Sequence, residues 1–304
     1  MTHTRRAPVG WLFVAPALFL LLVFLVYPTL WTIRLSLYGG PGFVPTRFVG
    51  LDNFVTMFTQ DTSFFNIGTF PPTGSVINNI IWLFVFVPLA VGLGLAIATL
   101  ADKVRYESLV KAVVFLPYGI SSTAAAIIWL FVYSPNADVG LLNAILGAVI
   151  PGWQPLAFVG DLRLTTLAII IAAVWVETGF ATVILSAALK GISAEVIEAA
   201  RVDGANAWEV FSRIQVPMIS STLSVVVVTM IIFVIKIFDL ILVMGGPTGG
   251  PLGSARVIAF SQYIETFLNG RGGYGSALAV VMLLLVLPVM ILNVRRFRRE
   301  ESFR

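Results

Sequence analysis

Three ionisable residues stand inside long apolar runs of this sequence, where a charge is expensive: Glu177, Lys236 and Asp239. Groups of this kind bind polar solutes, form ion pairs or relay protons, so they are functional candidates by their position alone. Lys236 and Asp239 are three residues apart, a spacing at which side chains on one helix meet, and this predicts a mutual pair. Glu177 has no cation at such a spacing. It needs water, a charge from another helix such as Lys236, or a proton. No second carboxylate or histidine aligns with it, which weighs against a proton relay. Other chemistry is excluded more simply. The chain has no Cys, and its one His is His3 in the N-terminal tail. Thiolate nucleophiles, thiolate metal sites, disulfides, His-based dyads and zinc clusters are thereby ruled out. None of the lysines lies in a G-x-x-x-x-G-K-[ST] context, so the chain cannot cradle ATP phosphates by that route.

The elements that must position these residues are membrane spans. Of 304 residues 58% are hydrophobic and 11% charged, with mean hydropathy +0.97; a soluble domain carries roughly a quarter charged residues. Six runs meet the length of about 20 apolar residues that a spanning helix needs: 11–35, 77–100, 110–133, 165–189, 218–243 and 276–294. The first is too long for a signal-peptide core and has no small-x-small exit, so it is read as a retained span. The sequence therefore predicts an all-α, six-span membrane protein over 11–294, with tails at 1–10 and 295–304. Glu177 falls about 12 residues into the fourth span, roughly 18 Å along its axis and so near mid-bilayer.

Charge sets the orientation. With the N-terminus inside, thirteen basic residues lie on the inner side: Arg5, Arg6, Lys103, Arg105, Lys111, Lys190, Arg201, Arg213, Arg295, Arg296, Arg298, Arg299 and Arg304. The outer side holds four: Arg47, Arg163, Arg256 and Arg271. This asymmetry predicts both termini in the cytoplasm and explains the net +4 without a nucleic-acid partner. On the outer side, 39–76 is a structured loop carrying Gly39-Gly40-Pro41-Gly42 and Pro71-Pro72. Residues 139–150 form a short interfacial helix, and 244–275 opens on turn residues.

The cytoplasmic loop 190–217 predicts two short helices. Ser193 caps the first, with Glu195 and Glu198 near its N-terminal end. Val196, Ala199 and Ala200 share a face shallow enough for another protein to approach its backbone. Asp203-Gly204 ends this helix. Asn206 and Glu209 start the second in a variant of the capping box, Trp208, Phe211 and Ile214 follow, and Pro217 fits the first turn of the fifth span.

Glu198-Ala199-Ala200, Gly204, Ile214 and Pro217, at their spacing, resemble the EAA loop of binding-protein-dependent ABC importer permeases; Val216 replaces the usual Leu before the proline. FVAPALFLLLVFLVYP in the first span, FVGLDNF at 48–54, FLPYGISS at 115–122, FDLILVM at 238–244 and GYGSALAVVMLLLV at 273–286 are similar to the maltose-type carbohydrate branch. TGFATVILSAALKGIS and EAARVDGANAW look closest to α-glucoside permeases within it. The resemblance implies an inner-membrane subunit of the type I permease fold without catalytic activity. It implies a second homologous permease, two ATP-binding subunits that hold the only nucleotide and dock on the EAA loops, and an extracytoplasmic sugar-binding protein. Glu198, Ala199, Ala200, Asp203, Gly204, Ile214 and Pro217 would then couple to the ATPases. The family's sugar site falls on Tyr118 and Ser122 of the third span, on Glu177 and Phe180 of the fourth, where the maltose-type permease has Gly and Tyr, and near Phe233 of the fifth. A permease for a polyol, phosphate ester or peptide, and an ion-coupled carrier built on Glu177 and Lys236, are the alternative readings.

The topology is directly testable. Replacing Gln60 by Cys should allow labelling by an impermeant maleimide from outside, whereas Trp208→Cys should react only after the membrane is opened. The reverse pattern would overturn the orientation.

Overall fold

The structure, a computed structural model, describes residues 7–68, 73–136 and 138–301, with side chains described within 11–295. His3, Arg5, Arg6, Pro71-Pro72 and Arg304, and the side chains of Arg296, Arg298 and Arg299, lie outside what is described. The chain divides into two compact units, residues 1–60 with 261–283 and residues 61–260 with 284–304.

In the first unit, α1 (Ala7–Leu21) passes through a π-helical turn at Leu22–Val26 into α2 (Tyr27–Leu35). Trp11–Leu35 is a 25-residue helix with no part of its most apolar stretch buried within the protein. A helix that is apolar all round and uncovered is suited to lipid. A two-residue hairpin, β1 (Tyr38–Gly39) with β2 (Arg47–Phe48), and the short helix α3 (Asp52–Thr59) follow. Gly272 and Gly273 touch this segment so closely that an added Cβ would collide with the carbonyl oxygens of Gly42 and Tyr38. Arg271 pairs with the buried Glu265 and lies 4.8 Å over the Tyr274 ring.

The second unit is built on α4 (Ser75–Ala101). It continues through α5 (Glu107–Phe115), α6 (Ser122–Val132), α7 (Leu141–Val149) and α8 (Thr165–Lys190). The 190–217 loop holds α9 (Ala194–Val202), α10 (Ala207–Glu209), a π-helical turn at Val210–Gln215 and α11 (Val216–Met218). Then come α12 (Ser220–Lys236), α13 (Asp239–Gly245), α14 (Ile258–Tyr263), which passes into the first unit, and α15 (Gly272–Glu301), which returns.

α4 and α8 form the most extensive helix pair. At Gly94 an added Cβ would overlap the Ala181 side chain and the Thr182 backbone, so the two backbones meet there. Small residues at such crossings replace the hydrophobic drive that lipid does not supply. Asn78 and Asn79 make a polar seam along α4. The Asn78 side-chain amide donates to the carbonyls of Ser254 and Arg256 at 2.8 and 2.7 Å, and that of Asn79 to Val234 at 3.0 Å. Asn79 Oδ1 accepts from the Ile258 backbone at 2.9 Å. Two asparagines thus satisfy backbone groups near the end of α12, in the loop ahead of α14 and at its start.

Among the described residues four helices are long and apolar enough to cross a membrane: Trp11–Leu35, Ser75–Ala101, Thr165–Lys190 and Gly272–Arg295. Two expected spans are bent instead of straight. The third breaks by 102° between Glu107–Gly119 and Ser122–Val132; the fifth breaks at Ile237–Phe238 between α12 and α13, and the loop helix Ala207–Met218 meets its start at 73° across Ile219. Pro117 and Pro217 stand just before the 102° and 73° bends, where a residue without N–H cannot continue the backbone ladder. The sequence also missed the helix at 258–263 within the 244–275 loop.

Gly94→Leu should lower stability by about 1–3 kcal/mol, the usual cost of overpacking, and appear as a drop in the unfolding midpoint in detergent. Gly92→Ala, on the same helix with open space around the new methyl, should leave the midpoint unchanged or raised.

Candidate functional site

The 190–217 loop is the more regular of the two candidate regions. Ser193 Oγ accepts from the Glu195 N–H at 3.3 Å and caps α9. α9 ends in a Schellman motif: the Ala205 N–H donates to Ala200 O at 3.0 Å and the Gly204 N–H to Arg201 O at 3.1 Å. This turn needs Gly204 at φ +91°, a backbone conformation open to glycine and strained for other residues. Asn206 Oδ1 accepts from the N–H groups of Trp208 and Glu209, and Glu209 Oε2 accepts from the Asn206 N–H, each at 3.0 Å; this closes the predicted capping box. Glu198, Ala199, Asp203 and Gly204 are exposed, and Ala200 is half-buried. Trp208 is 70% exposed and packs on Phe211 with ring centroids 5.5 Å apart. Ile214 is half-buried in the π-helical turn. Pro217 sits in α11, ahead of the bend, and not in the first turn of α12 as expected.

The residues expected along the path separate into two clusters. Tyr118 lies in the 3₁₀ turn Leu116–Gly119 after α5, and it stacks on Phe180 of α8 at 5.4 Å and 27°. Gly179 makes this contact reachable: an added Cβ would strike Val114 O at 2.5 Å and Phe115 Cα at 2.7 Å. Glu177, one turn back on α8, is half-buried and within electrostatic reach of Tyr118. Ser122 and Phe233 belong to a separate open cleft of about 320 Å³, lined also by Thr229, Lys236 and Asp239. Phe233 stacks there on Phe86 of α4 at 5.1 Å. Ser121, not Ser122, caps α6, accepting from the Ala124 N–H at 3.2 Å, so the Ser122 hydroxyl is left to the cleft.

The expected Lys236–Asp239 pair is not formed. α12 stops at Lys236 and α13 starts at Asp239; Ile237 and Phe238 between them leave helical geometry, which removes the i,i+3 relation that would have joined the two charges. Both are exposed to the cleft, and no ion pair of either, or of Glu177, occurs among the described residues. Sequence reasoning passed over Asn78 and Asn79, whose signal was an amide pair in an apolar run, and over Glu107 and Ser186, which carry no motif.

Residues 67–300 match the family described as "Binding-protein-dependent transport system inner membrane component", and the chain belongs to it. It is 45% identical to the osmoprotective compounds uptake permease protein GgtC of Synechocystis, over 96% of this chain and all of that one. It is 42% identical to the alpha-glucoside transport system permease protein AglF of Rhizobium meliloti, over 96% of this chain and 83% of that one. Identity to the trehalose/maltose transport system permease protein MalF of Thermococcus litoralis is 33%, over 97% and 96%. Among solved structures, a bacterial ABC transporter that imports the acidic polysaccharide alginate has a chain that superposes with TM-score 0.74 at 25% identity, covering 94% of this chain and 95% of that one. The protein is thus an inner-membrane permease component of a binding-protein-dependent transport system, with relatives named as α-glucoside and trehalose/maltose permeases.

Since no ion pair joins Glu177 to Lys236, Glu177→Gln and Lys236→Met should act independently. Their effects on unfolding free energy in detergent should add to within about 0.5 kcal/mol. A double variant that regains the stability lost by the single ones would reveal a pair.

Proposed function

We propose that this chain forms half of the translocation path for an α-linked di- or oligosaccharide. In this reading the bent pair Glu107–Gly119 with Ser122–Val132 counts as one span and α12 with α13 as another, which gives six spans with both termini in the cytoplasm. A second homologous permease supplies the other half, an external binding protein delivers the sugar, and two ATP-binding subunits drive the cycle. The chain binds no nucleotide and performs no catalysis. The observation that carries this reading is the exposed two-helix loop at 190–217, with its glycine turn fixed by two backbone hydrogen bonds. Glu198, Ala199, Ala200, Asp203, Gly204, Ile214 and Pro217 form the coupling element. Closure of the ATPases would push it as a lever and rock the permease between inward- and outward-facing states.

Along the path, the Tyr118–Phe180 stack offers aromatic faces, while Ser122, Glu177 and the cleft beside Phe233 offer hydroxyl-matching groups. Sugars bind such combinations, since their C–H faces pack on rings and their hydroxyls need acceptors and donors. A solved relative from an alginate transporter, with TM-score 0.76 and 23% identity over 96% of this chain and 94% of that one, is in a complex with a pentasaccharide-bound periplasmic protein. This supports delivery by a binding protein. A second reading, import of a small osmoprotective solute such as a polyol, is favoured by the 45% identity to the osmoprotective-compound permease.

The complete transporter in proteoliposomes should take up a labelled α-linked disaccharide only with ATP and the binding protein. Excess polyol outcompeting the disaccharide would favour the second reading. Uptake by this chain without ATPases would overturn both in favour of an ion-coupled carrier. Gly204→Leu has room for its side chain but must hold a positive φ, at a cost of about 1–3 kcal/mol. It should assemble and insert yet lose about ten-fold or more of ATP-coupled uptake. Normal uptake by this variant would show that the turn is not a coupling element.

A further inference from the structure

The two roots of the 190–217 loop are built differently. At the second, the chain leaves through the 73° bend at Ile219, whose N–H donates to Gln215 O and whose carbonyl accepts from the Leu223 N–H. At the first, three segments meet in a charged network. Lys190, the last residue of α8, places its ammonium 2.6 Å from Glu107 at the start of α5 and 3.8 Å from Asp102 just past α4. Glu107 also pairs with Lys111 one turn along α5. The Lys111 ammonium donates in turn to Ser186 Oγ, one turn before Lys190 on α8. Glu107 is therefore shared by lysines from two helices, and Lys111 ties back to the helix that Lys190 ends.

Isolated exposed ion pairs contribute little to stability. This arrangement differs because the side chains of Glu107 and Lys111 are only 22% and 17% exposed and each group has more than one partner. Charge-assisted bonds in a shared, partly covered network are stronger and fix orientation. The fixed orientation of α8 bears directly on α9. Gly191 and Ile192 alone separate α8 from the Ser193 cap of α9. Without a clamp at Lys190, a force on α9 would be absorbed by swivelling at Gly191. With it, the force passes into α8, and α8 carries Gly179 and Phe180 against Val114, Phe115 and Tyr118.

We propose that Glu107 is a positioning residue for energy coupling: by holding Lys190 and Lys111 together it clamps the root of the 190–217 loop to the α4–α5–α8 body, so that motion of the loop becomes motion of α8. The proposal rests on the reading that this loop receives the ATPases.

The test uses the complete transporter in proteoliposomes, reading solute moved per ATP hydrolysed. Glu107→Gln keeps the shape and removes the charge. It should lower the transport-to-ATP ratio at least about five-fold, the low end of a coupling free energy, with ATPase rate and assembly retained. An unchanged ratio would overturn the proposal. The chain has no cysteine of its own, so Glu107→Cys with Lys190→Cys can be bridged selectively by a short bifunctional thiosulfonate. The unbridged double variant should be uncoupled and the bridged one restored. A confirmed bridge that fails to restore the ratio would also overturn the proposal. If Glu107→Gln fails to assemble, Lys190→Met at the half-exposed end of the network decides. Assembly with a lowered ratio supports positioning, and loss of assembly there too assigns the network to folding alone. The parent reading is tested apart from Glu107, by attaching a photo-crosslinker to Trp208→Cys. Failure to capture an ATPase subunit in the assembled transporter would overturn that reading, whatever Glu107 does.

Discussion

The architecture of the larger unit depends on the close packing of α8 against its neighbours. A membrane supplies no hydrophobic drive between helices, so the contact must come from backbone approach and hydrogen bonds. Gly94 lets α4 lie against Ala181 and Thr182, and Gly179 lets the end of α5 lie against the opposite part of α8. The Tyr133 hydroxyl donates to Ala168 O at 3.1 Å, and the Thr166 hydroxyl to Ser254 O at 2.9 Å. Most of α8 is consequently buried, 67% of its most apolar stretch, whereas none of that stretch in the first helix is. The same degree of hydropathy serves as core in one helix and as lipid contact in the other.

A buried central helix makes breaks in the surrounding helices tolerable. A bend exposes N–H and C=O groups that lipid cannot satisfy, so each break needs a polar neighbour. Asn79 supplies it for the end of α12 and the start of α14, accepting from Ile258 N–H while donating to Val234 O. Asn78 does the same for the carbonyls of Ser254 and Arg256. Two of the breaks carry residues of the candidate site. Tyr118 occupies one, and Lys236 and Asp239 flank another on an open cleft. Charges within spans are tolerated where they face a polar cavity, and both Lys236 and Asp239 line the cleft.

The loop at 190–217 and the body of the protein obey separate physical rules. The loop is set by local capping: Ser193, Asn206 with Glu209, and the Gly204 turn are all satisfied within a few residues. The clamp at Lys190 is long-range, joining residues from α4, α5 and α8. Local capping shapes the two short helices, and long-range charge pairing ties their root at Lys190 to α5 and to the end of α4.

What the sequence determined by itself comes from interactions that are local or compositional. Apolar runs marked the rough bounds of the long helices, because a helix must be apolar for about 20 residues to sit in lipid. The caps of the loop were legible because each joins residues two to five apart, and the spacing of Glu198, Ala199, Ala200, Gly204, Ile214 and Pro217 carried the family resemblance. The rest depended on partners distant in the chain. Lys236 and Asp239 have the spacing of a helical pair, but the chain leaves the helix between them, where Asn79 receives the freed backbone. Tyr118 and Phe180, 62 positions apart, meet only because Gly179 admits α5. Glu107 carries no motif, and only the fold brings Lys190 to it. A sequence states which residues can bear the cost of burial in lipid, whereas the meeting of helices decides which polar groups find each other there.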